Sequence, residues 1–551
     1  MIDFSARHAA LLSRAIEAIG ERGYWSAYPE APSGKIYGET AKADGEAAFE
    51  ALCGKPFAMD AAYPADGAVG DEISPYGRRL AIRYPSASVE QLVAASVAAG
   101  ASWSGASVDQ RAGALLEILE RVNKQSFLMA YAVMHTSGQA FAMAFQAGGP
   151  HAQDRGLEAV AYAVAEMKRL PGAVQWVKPQ GKSEPLKLEK TFRIVPRGVA
   201  AVIGCATFPT WNSYPGLFAS LATGNTVIVK PHPGAILPVA ITVKIAREVL
   251  TEAGFDPNVV LLAADEAAAP IAKELVQNPA VKIVDFTGGP AFGSWLRNAV
   301  KGKQIYTEEA GLNAIVVDST STFRAMCDNI AFSLSLYSGQ MCTAPQNIFV
   351  PRGGVETDEG HKSFDDVANA IVQAVDRLLA DPARAGGVLG AIQSEATLQR
   401  VKSCETLGRV VRRSAPVEGL ARSATPLVVA VDAADETAYL EERFGPISFV
   451  IATDSTEDSL LRAARSIREH GAITAALYTS RDAVAEAAAE AFAGADVALS
   501  INLVGNIFVN QSAAFSDFHV TGGNPAGNAC LTDAAFVANR FRVAPVRRLV
   551  A

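Results

Sequence analysis

The sequence predicts an α/β protein with two doubly wound domains, and three observations support this prediction. Short β-branched runs alternate with helical stretches over two successive regions of the 551-residue chain. Half of the residues are hydrophobic, which is enough for large buried cores. Two further segments, 174–194 and 541–546, read as strands outside both regions. Because strands that alternate with helices form parallel sheets with helical crossovers, we expect a parallel sheet in each domain.

The first 86 residues are predicted to form an N-terminal extension. An amphipathic helix near residues 4–22 is followed by turn-rich sequence with clustered Pro, Gly and Ser residues. Residues 1–86 therefore read as an arm or cap outside the two domains.

Residues 87–311 are predicted to form the first α/β domain. Helical periodicity covers residues 89–170, and short Val and Ile runs within 199–285 alternate with further helical segments. The insertion at 172–196 reads as two strands joined by a polar turn. We expect a parallel sheet with a ligand crevice at the carboxyl ends of its strands.

Residues 312–506 repeat the alternation of strands and helices and are predicted to form the second domain. Residues 507–551 then read as a loop followed by a final strand. An exposed strand edge invites pairing with another chain. We therefore expect the hairpin at 172–196 and the final strand to pair between subunits, in a homodimer or a homotetramer.

The composition excludes several classes of function. The chain has 49 Lys and Arg residues against 57 Asp and Glu residues, a net charge of −8, so no global positive field attracts nucleic acid or anionic lipid. No apolar run approaches the ~18 residues that span a bilayer. The charged N-terminal segment is unlike a signal peptide, so we expect a cytoplasmic protein. The six cysteines lack a C-x-x-C pair and the seven histidines lack metal spacing, which predicts neither a disulfide scaffold nor a metal site.

A cysteine in a glycine-flanked turn is the most informative local signal. Cys342 lies within Ser338-Gly-Gln-Met-Cys-Thr-Ala-Pro-Gln346, between a predicted helix and a predicted strand. Backbone N–H groups in such a turn lower the pKa of a thiol and offer an oxyanion site. The sequence predicts a catalytic cysteine here, and the alternative interpretation is a packed cysteine.

Other residues lie where a parallel sheet places its ligands. Asn212 follows a strand, and its amide can donate to an oxyanion. Gly288, Gly289 and Gly293 stand between a strand and a helix, so backbone donors at that helix start can face a pyrophosphate. Lys230 ends a strand beside the crevice. The alternatives are an ordinary loop asparagine, a tight loop and a surface lysine.

Six motifs within residues 88–510 resemble, in order, those of the aldehyde dehydrogenase superfamily. They are Thr210-Trp-Asn-Ser213, Thr223-Gly-Asn-Thr-Val-Ile-Val-Lys-Pro231, Asp285-Phe-Thr-Gly-Gly-Pro-Ala-Phe-Gly293, Glu308-Glu-Ala-Gly-Leu-Asn313, Gly339-Gln-Met-Cys-Thr343 and Glu441-Glu-Arg-Phe-Gly-Pro446. The resemblance implies a cofactor-binding domain, a catalytic domain and a small β element for oligomerisation. It also implies the oxidation of a small-molecule aldehyde to a carboxylate with NADP or NAD.

The resemblance implies three catalytic residues. Cys342 is the nucleophile, and Asn212 with the Cys342 backbone N–H holds the oxyanion. Either Glu308 or Glu309 activates the water that hydrolyses the thioester. Glu308 matches the family's spacing to the cysteine, since 342 − 308 = 34, whereas Glu309 better matches the spacing to Gly311. Only one of two adjacent residues on an extended strand faces the crevice, and we favour Glu308.

The resemblance also implies a set of cofactor-binding residues, and one position predicts the cofactor. NAD-preferring members have a glutamate three residues after the lysine, and here that position is Pro233. Lys230 would then remain an unopposed cation, assisted by His232, so we expect NADP to be used at least as well as NAD. The predicted cofactor-binding residues are Lys230, Pro233, Thr287, Gly288, Gly289, Gly293, Glu442 and Phe444.

The substrate and three rival functions remain open at this point. The N-terminal extension and the motifs around Glu308, Cys342 and His519 look like the phenylacetic acid degradation branch, PaaN, which implies a semialdehyde of aromatic catabolism, CoA-linked or free. A CoA-acylating aldehyde dehydrogenase and an inactive scaffold are two rivals. A cysteine hydrolase is the third, but we expect no histidine beside the cysteine, because His519 reads as a loop residue or as part of a substrate channel.

Overall fold

The N-terminal extension packs on the first domain and contains more helix than the sequence predicts. The structure, a computed structural model, describes residues 2–309, 311–420, 422–524, 526–530 and 532–550. Gly45 lies directly against Phe127, and this close approach lets one face of its helix, with Gly45 and Phe49 buried, pack on the first domain. Phe49 and Tyr84 belong to the same core as the first domain. The elements before residue 87 are α1 (Ser5–Glu21), α2 (Gly34–Tyr37), α3 (Ala41–Leu52), β1 (Gly67–Val69) and β2 (Tyr84–Ser86).

A layer of helices follows, and serine residues begin two of them. Ser88 and Ser107 accept hydrogen bonds from the backbone of Gln91 and Gln110, whose side chains bond back to the serine N–H groups. Over the described part of the chain, every helix is too short or too polar to cross a lipid bilayer. The layer is α4 (Val89–Gly105), α5 (Val108–Lys124), α6 (Ser126–Ser137), α7 (Phe141–Gly148) and α8 (Pro150–Lys168), and the hairpin strands β3 (Ala173–Gln180) and β4 (Ser183–Pro196) come next.

The first sheet is parallel, and the cofactor motifs lie at its carboxyl edge. Its elements are β5 (Val199–Ile203), α9 (Ser213–Ala222), β6 (Thr226–Lys230), α10 (Leu237–Glu252), β7 (Val260–Leu262), α11 (Ala272–Gln277), β8 (Val281–Gly288), α12 (Pro290–Ala299) and β9 (Gln304–Glu309). The strands lie in the order β7-β6-β5-β8-β9. The strand order reverses between β5 and β8, and an open parallel sheet binds its ligands at such a point.

The second sheet has helices on both faces. Val316 of its interior strand β10 belongs to one hydrophobic core and the adjacent Ile315 to another, as expected for a strand buried on both sides. The elements of this part of the chain are β10 (Ala314–Val317), β11 (Ser319–Thr320), α13 (Phe323–Ser335), β12 (Asn347–Pro351), β13 (Val355–Thr357), β14 (Gly360–Lys362), α14 (Phe364–Leu378), α15 (Pro382–Leu389), α16 (Glu395–Cys404), β15 (Arg409–Arg412), β16 (Leu427–Asp432), α17 (Glu436–Tyr439), β17 (Ile447–Thr453), α18 (Thr456–His470), β18 (Thr474–Tyr478), α19 (Asp482–Ala493) and β19 (Ala498–Ile501). Strands β11, β13 and β14 form a small sheet of their own. The strand order is β15-β16-β17-β12-β10-β18-β19, with β15 antiparallel at one edge. The predicted α/β fold class is therefore confirmed.

The last strand pairs with the hairpin of the same chain, whereas the sequence predicts that both elements pair between subunits. After α20 (Ala534–Ala538), strand β20 (Phe541–Leu549) runs antiparallel to β4 along its whole length, and the strand order is β20-β4-β3. One edge of β20 and one edge of β3 have no strand partner among the described residues, so pairing of these edges with another subunit stays a prediction. Val177, Val546 and Leu549 leave apolar surface on this sheet exposed. The homodimer or homotetramer stays a prediction, which sedimentation can measure.

A buried ion pair ties the C-terminal segment to the first sheet. The guanidinium of Arg540 donates hydrogen bonds of 2.7 and 2.6 Å to the carboxylate of Asp285 in β8, and one of 2.7 Å to the Ser220 hydroxyl. Gly216 of α9 leaves the room that the carboxylate occupies. Both charged groups are buried, so each depends on the other to offset its loss of hydration.

Arg540→Met is expected to destabilise the protein by about 3–5 kcal/mol, because it leaves the Asp285 carboxylate buried and unpaired. Urea unfolding measures this loss, and the double variant Asp285→Asn, Arg540→Met should recover part of it. Arg542→Met alters an exposed neighbour on β20 and is the control, with an expected change below about 0.5 kcal/mol. An equally small effect of Arg540→Met would contradict this account of the ion pair.

Candidate active site

Two cavities meet at Cys342. The first cavity has a volume of about 640 Å³ and lies at the carboxyl ends of β5, β6 and β8. The second cavity, of about 820 Å³, lies between the N-terminal extension, the helices α7 and α8, and residues 506–519. Cys342, Asn212 and Phe208 line both cavities. A thiol at this junction can react with a molecule in the second cavity while that molecule faces another in the first.

A strained turn presents Cys342 to this junction. Tyr337, Ser338 and Gly339 have left-handed backbone angles, with φ of 51°, 51° and 62°. Residues other than glycine adopt this region only when the surroundings hold them there. The Tyr337 hydroxyl donates to the backbone carbonyl of Ser137, and the Ser338 hydroxyl donates to two backbone carbonyls at 3.1 and 3.3 Å. These buried bonds hold the turn that leads into the cysteine.

Asn313 fixes the far side of the same turn. Its Nδ2 atom donates to the backbone carbonyls of Cys342 and Ala344, at 2.8 and 3.0 Å. Its Oδ1 atom accepts from the backbone N–H groups of Ile473 and Thr474, both at 2.9 Å. The amide therefore joins the cysteine turn to the start of β18 in the second sheet.

The carboxylate of Glu308 lies at the centre of the site. Its Oε1 atom accepts from Asn212 Nδ2 at 2.7 Å and from the Cys342 thiol at 3.2 Å, and lies 3.2 Å from His519 Nε2. Glu308 is 1% exposed, and its Oε2 atom is buried without a hydrogen-bond partner among the described residues. Three of the groups that chemistry at Cys342 requires therefore converge on one oxygen atom.

The pKa values in this cluster are shifted in opposite directions. Burial alone would raise the pKa of Glu308, but the charge and hydrogen bond of His519, with bonds from Cys530 and Cys342, outweigh it and lower that pKa. Burial first, and then the Glu308 carboxylate, raise the pKa of Cys342 well above its usual value. The arrangement is therefore that of an ionised carboxylate beside a neutral thiol.

His519, which the sequence placed in a loop with a substrate channel as the alternative interpretation, lies in the site. It is 5% exposed, and its Nε2 atom lies 3.9 Å from Cys342 Sγ, so the expectation of no histidine beside the cysteine is wrong. Its Nδ1 atom lies 3.3 Å from the Ser512 hydroxyl, and its ring packs edge-on against Trp211 with a centroid distance of 4.5 Å. The loop that carries His519 is 177 residues from the cysteine, so no local motif could place the two together.

Glu309 points away from the cysteine, on the opposite face of β9. Its carboxylate forms an ion pair with Arg297 of α12. A Cβ atom on Gly293 would overlap this carboxylate, so that glycine makes room for the ion pair. The geometry therefore favours Glu308 over Glu309 for chemistry at Cys342.

Most of the predicted cofactor-binding residues line the first cavity. An added Cβ atom on Gly289, at the start of α12, would meet no other atom within 4 Å, so its backbone is open to a ligand. Pro233 and Gly293 are not among the described residues that line the cavity. Of the predicted set, Lys230, Thr287, Gly288, Gly289, Glu442 and Phe444 line it.

The positive charge expected at Lys230 is already neutralised. Its Nζ atom lies 2.8 Å from Asp265 Oδ1, and both side chains are buried, so Lys230 is not the unopposed cation that the sequence suggested. Burial and the charge of Lys230 lower the pKa of His232 to about 4, which leaves that imidazole neutral near physiological pH. The carboxylate was missed because Asp265 lies in a loop outside every motif.

Glu442 and Phe444 form the opposite wall of the first cavity. Burial raises the pKa of Glu442 to about 7. The backbone carbonyl of Phe444 accepts a bond of 2.6 Å from Arg400 Nη1, which holds this segment in place. The expectation that the site holds no metal stays a prediction.

The chain matches known proteins over most of its length. The sequence model described as the Aldehyde dehydrogenase family matches residues 66–525. A crystal structure of an NAD-dependent aldehyde dehydrogenase from Burkholderia multivorans is 56% identical, covers 100% of this chain and 99% of that chain, and has a TM-score of 0.97.

More distant relatives match less of the sequence. The 1-pyrroline-5-carboxylate dehydrogenase of Bacillus cereus (strain B4264) is 28% identical over 344 residues, which are 60% of this chain and 61% of that protein, so the alignment spans about three fifths of the curated relative. A 1-pyrroline-5-carboxylate dehydrogenase structure from Thermus is 19% identical, covers 96% of this chain and 99% of that chain, has a TM-score of 0.73, and shows the fold alone. On the family match and the 56% identity, the chain belongs to the aldehyde dehydrogenase family.

Proposed function

We propose that the protein oxidises an aldehyde to a carboxylate, with NAD as the hydride acceptor. The observation that carries this proposal is the position of Cys342, at the junction of two cavities and in contact with Glu308. A dehydrogenase of this kind needs a cofactor on one side of the nucleophile and an aldehyde on the other. The family and the Burkholderia multivorans relative support the same activity.

The first cavity fits a dinucleotide. The open backbone at Gly289 and the start of α12 offer N–H donors to a pyrophosphate. Glu442, when ionised, can accept from a ribose hydroxyl, and the Phe444 ring faces the same space. When bound, NAD supplies the acceptor for the hydride that leaves the substrate carbon.

The residues of the chain perform the remaining steps. The Cys342 sulfur forms a bond to the aldehyde carbon, and the carbonyl oxygen becomes an oxyanion that the Asn212 amide stabilises once Glu308 releases it. Loss of hydride leaves a thioester on Cys342. Glu308 then takes a proton from water, the resulting hydroxide attacks the thioester carbon, and the carbon–sulfur bond breaks to give a carboxylate and the free cysteine.

The position of Glu308 favours hydrolysis over transfer of the acyl group to CoA. Its buried carboxylate lies 3.2 Å from the sulfur that carries the acyl group, where it can activate water. The proximity of His519 to Cys342 makes a cysteine hydrolase the second candidate function. A hydrolase would not need the first cavity, and its activity would not depend on a nicotinamide cofactor.

The second cavity favours an uncharged aromatic aldehyde. Trp25, Phe208, Trp211 and other aromatic side chains line it, together with the carboxylates of Glu30 and Asp154. Within the described residues, no Lys or Arg lines this cavity, so it offers no permanent cation for a carboxylate or for the phosphates of CoA. Its two histidines are His151, which pairs with Glu30, and His519, which lies beside Cys342. This lining is poorly suited to a substrate with a carboxylate, such as the one named for the Bacillus cereus relative.

For the substrate, we propose an aldehyde of phenylacetate catabolism that is not linked to CoA. The aromatic lining and the cavity volume of about 820 Å³ support an aromatic or ring-derived substrate. The motifs around Glu308 and His519, which look like those of the PaaN branch, support the same pathway class. The absence of Lys and Arg from the described lining argues against the CoA-linked form, whose phosphates need a cation.

With NAD present, phenylacetaldehyde should yield reduced nicotinamide. Its kcat/KM should be at least roughly tenfold above that of a CoA-linked semialdehyde, because the described lining of the second cavity has no Lys or Arg to bind the phosphates. Cys342→Ala should lower kcat by roughly a thousandfold or more. Cys53→Ala changes a cysteine of the N-terminal extension outside both cavities and should keep the wild-type rate. Aldehyde oxidation by Cys342→Ala at the wild-type rate, or ester hydrolysis without any NAD-dependent turnover, would refute the proposal.

The charges around Lys230 favour NAD over NADP. A 2′-phosphate beside Lys230 would also face the carboxylate of Asp265, and His232 is neutral near physiological pH. The two positive charges on which the expectation of NADP depended are therefore not available. The Burkholderia multivorans relative, described as NAD-dependent, supports the same choice.

The ratio of kcat/KM values should favour NAD over NADP by roughly tenfold, because the phosphate lacks a free cation and meets a carboxylate. Asp265→Asn should shift this ratio towards NADP, since it removes the carboxylate and leaves the charge of Lys230 unopposed. Asp256→Asn, in the loop before β7, is the matched control and should leave the ratio unchanged. A preference of the wild-type enzyme for NADP would contradict the assignment.

A further inference from the structure

We propose that His519 is the proton acceptor that converts the Cys342 thiol to the reactive thiolate, and that its imidazolium is the counter-ion of that thiolate. This proposal rests on the proposed function only in taking Cys342 as the nucleophile. His519 would then be a catalytic residue, because its ring contacts the reacting sulfur atom.

The geometry brings the three exchangeable groups together. His519 Nε2 lies 3.9 Å from Cys342 Sγ and 3.2 Å from Glu308 Oε1, and the sulfur lies 3.2 Å from the same oxygen. The sulfur, the nitrogen and the oxygen therefore form a triangle whose edges are all short enough for hydrogen bonding. A proton can pass from sulfur to nitrogen without any rearrangement of the backbone.

The site needs a positive charge that only His519 can supply among the described residues around the sulfur. A thiolate in a buried site is disfavoured unless a cation lies beside it, and the nearby Glu308 carboxylate has the wrong sign. The guanidinium of Arg155 in α8 bonds to Glu158 at 2.9 Å. Of the cations that line the first cavity, Lys230 is paired with Asp265, and Arg400 donates to the Phe444 carbonyl at 2.6 Å. Arg297 is paired with Glu309 on the opposite face of β9. The imidazole is therefore the group that can become a cation at the sulfur.

The surroundings suit an imidazolium. When both ring nitrogens carry protons, Nδ1 can donate to the Ser512 hydroxyl at 3.3 Å and Nε2 to Glu308 at 3.2 Å. Arg155 Nη2 donates to the Ser512 oxygen at 3.1 Å, which fixes that acceptor. The ring edge also packs against Trp211. A protonated His519 thus has an acceptor for each N–H group.

The titratable groups that face this pair come from five parts of the chain. They are Glu308 of β9, Cys205 of the loop after β5, Cys530 beside Asn212, Arg155 of α8 and Asp517 of the loop that carries His519. The side chain of Asp517 accepts from the Ala513 N–H group at 2.9 Å and does not contact the imidazole in any recorded bond. Glu308 is therefore the charged group whose removal must be compared with that of His519.

The proton balance of the step is simple. The Sγ–H bond of Cys342 breaks, the Nε2–H bond of His519 forms, and no electrons are gained or lost. When the thioester is hydrolysed and the sulfur leaves as a thiolate, the proton is available on His519 to return to it. Glu308 remains free to take the proton of the attacking water, so the two bases serve two different steps.

The test is the pH dependence of alkylation of Cys342 by iodoacetamide, without aldehyde or cofactor, with mass spectrometry to count label on that cysteine. Burial and the Glu308 carboxylate raise the pKa of the Cys342 thiol by itself, so alkylation of wild type near neutral pH should depend on the thiolate–imidazolium pair and should show an inflection, below that of His519→Gln, where the pair forms. His519→Gln should lose this inflection and react roughly ten- to hundredfold more slowly near neutral pH. Glu308→Gln should keep the inflection, because the acceptor of the thiol proton is still present.

His8→Gln is the matched control, since His8 is a buried histidine that also bonds to a glutamate, Glu117, at 2.9 Å but lies outside both cavities. Its alkylation profile at Cys342 should equal that of wild type. Loss of the inflection in Glu308→Gln but not in His519→Gln would overturn the proposal in favour of Glu308 as the base. If His519→Gln does not fold, the pH profile of Cys342 alkylation in the wild-type protein tests the proposal by itself. A single inflection of that profile in the pH range of a free thiol would overturn the proposal.

This experiment separates the two proposals. Alkylation needs neither NAD nor turnover, so it reports on the thiol even if the protein oxidises no aldehyde. Suppose that the wild-type protein oxidises an aldehyde with NAD, but that Cys342 of His519→Gln is alkylated as fast as in wild type. This pair of results would overturn the role of His519 and leave the proposed function intact.

Discussion

The buried carboxylate of Glu308 is the interaction on which the rest of the site depends. One of its oxygen atoms contacts the amide of Asn212, the thiol of Cys342 and the imidazole of His519. Burying a carboxylate is costly unless hydrogen bonds replace its hydration, so these contacts both stabilise Glu308 and fix the distances among its neighbours. The same contacts occupy the Asn212 amide, so the carboxylate must move before that amide can stabilise an oxyanion. Glu308 therefore organises the resting site and must leave its resting position during the reaction.

The arrangement of the two sheets follows from the same region of the chain. Glu308 ends the first sheet in β9, and Asn313 stands directly before β10 of the second sheet. Because Asn313 bonds to the carbonyl of Cys342, the short connection between the sheets links the carboxylate and the cysteine turn. The C-terminal segment adds His519 from the other side, and the buried pair of Arg540 and Asp285 holds the end of that segment against β8. The site is therefore built where the two domains and the C-terminal segment meet.

Sequence patterns predicted the parts of the structure that depend on local order. The alternation of β-branched runs and helical segments predicted both sheets, and the glycine-flanked motif led to the turn of Cys342. Contacts between distant segments were not predictable in this way. His519, Asp265 and Arg540 act through partners that are remote in sequence, and no periodicity or motif marks such residues. For Lys230 the sequence showed the cation but not the carboxylate of Asp265 that neutralises it, and this carboxylate removes the reason for expecting NADP.

The most direct test of the central role of Glu308 is a single-turnover measurement on Glu308→Gln with NAD and an aromatic aldehyde. If Glu308 activates the hydrolytic water, this variant should release one burst of reduced nicotinamide, about one per active site, and then turn over slowly. Mass spectrometry of the quenched protein should find the acyl group on the peptide that contains Cys342. Glu309→Gln should show steady turnover without an accumulated thioester. Steady turnover by Glu308→Gln, with the burst appearing in Glu309→Gln instead, would contradict the account.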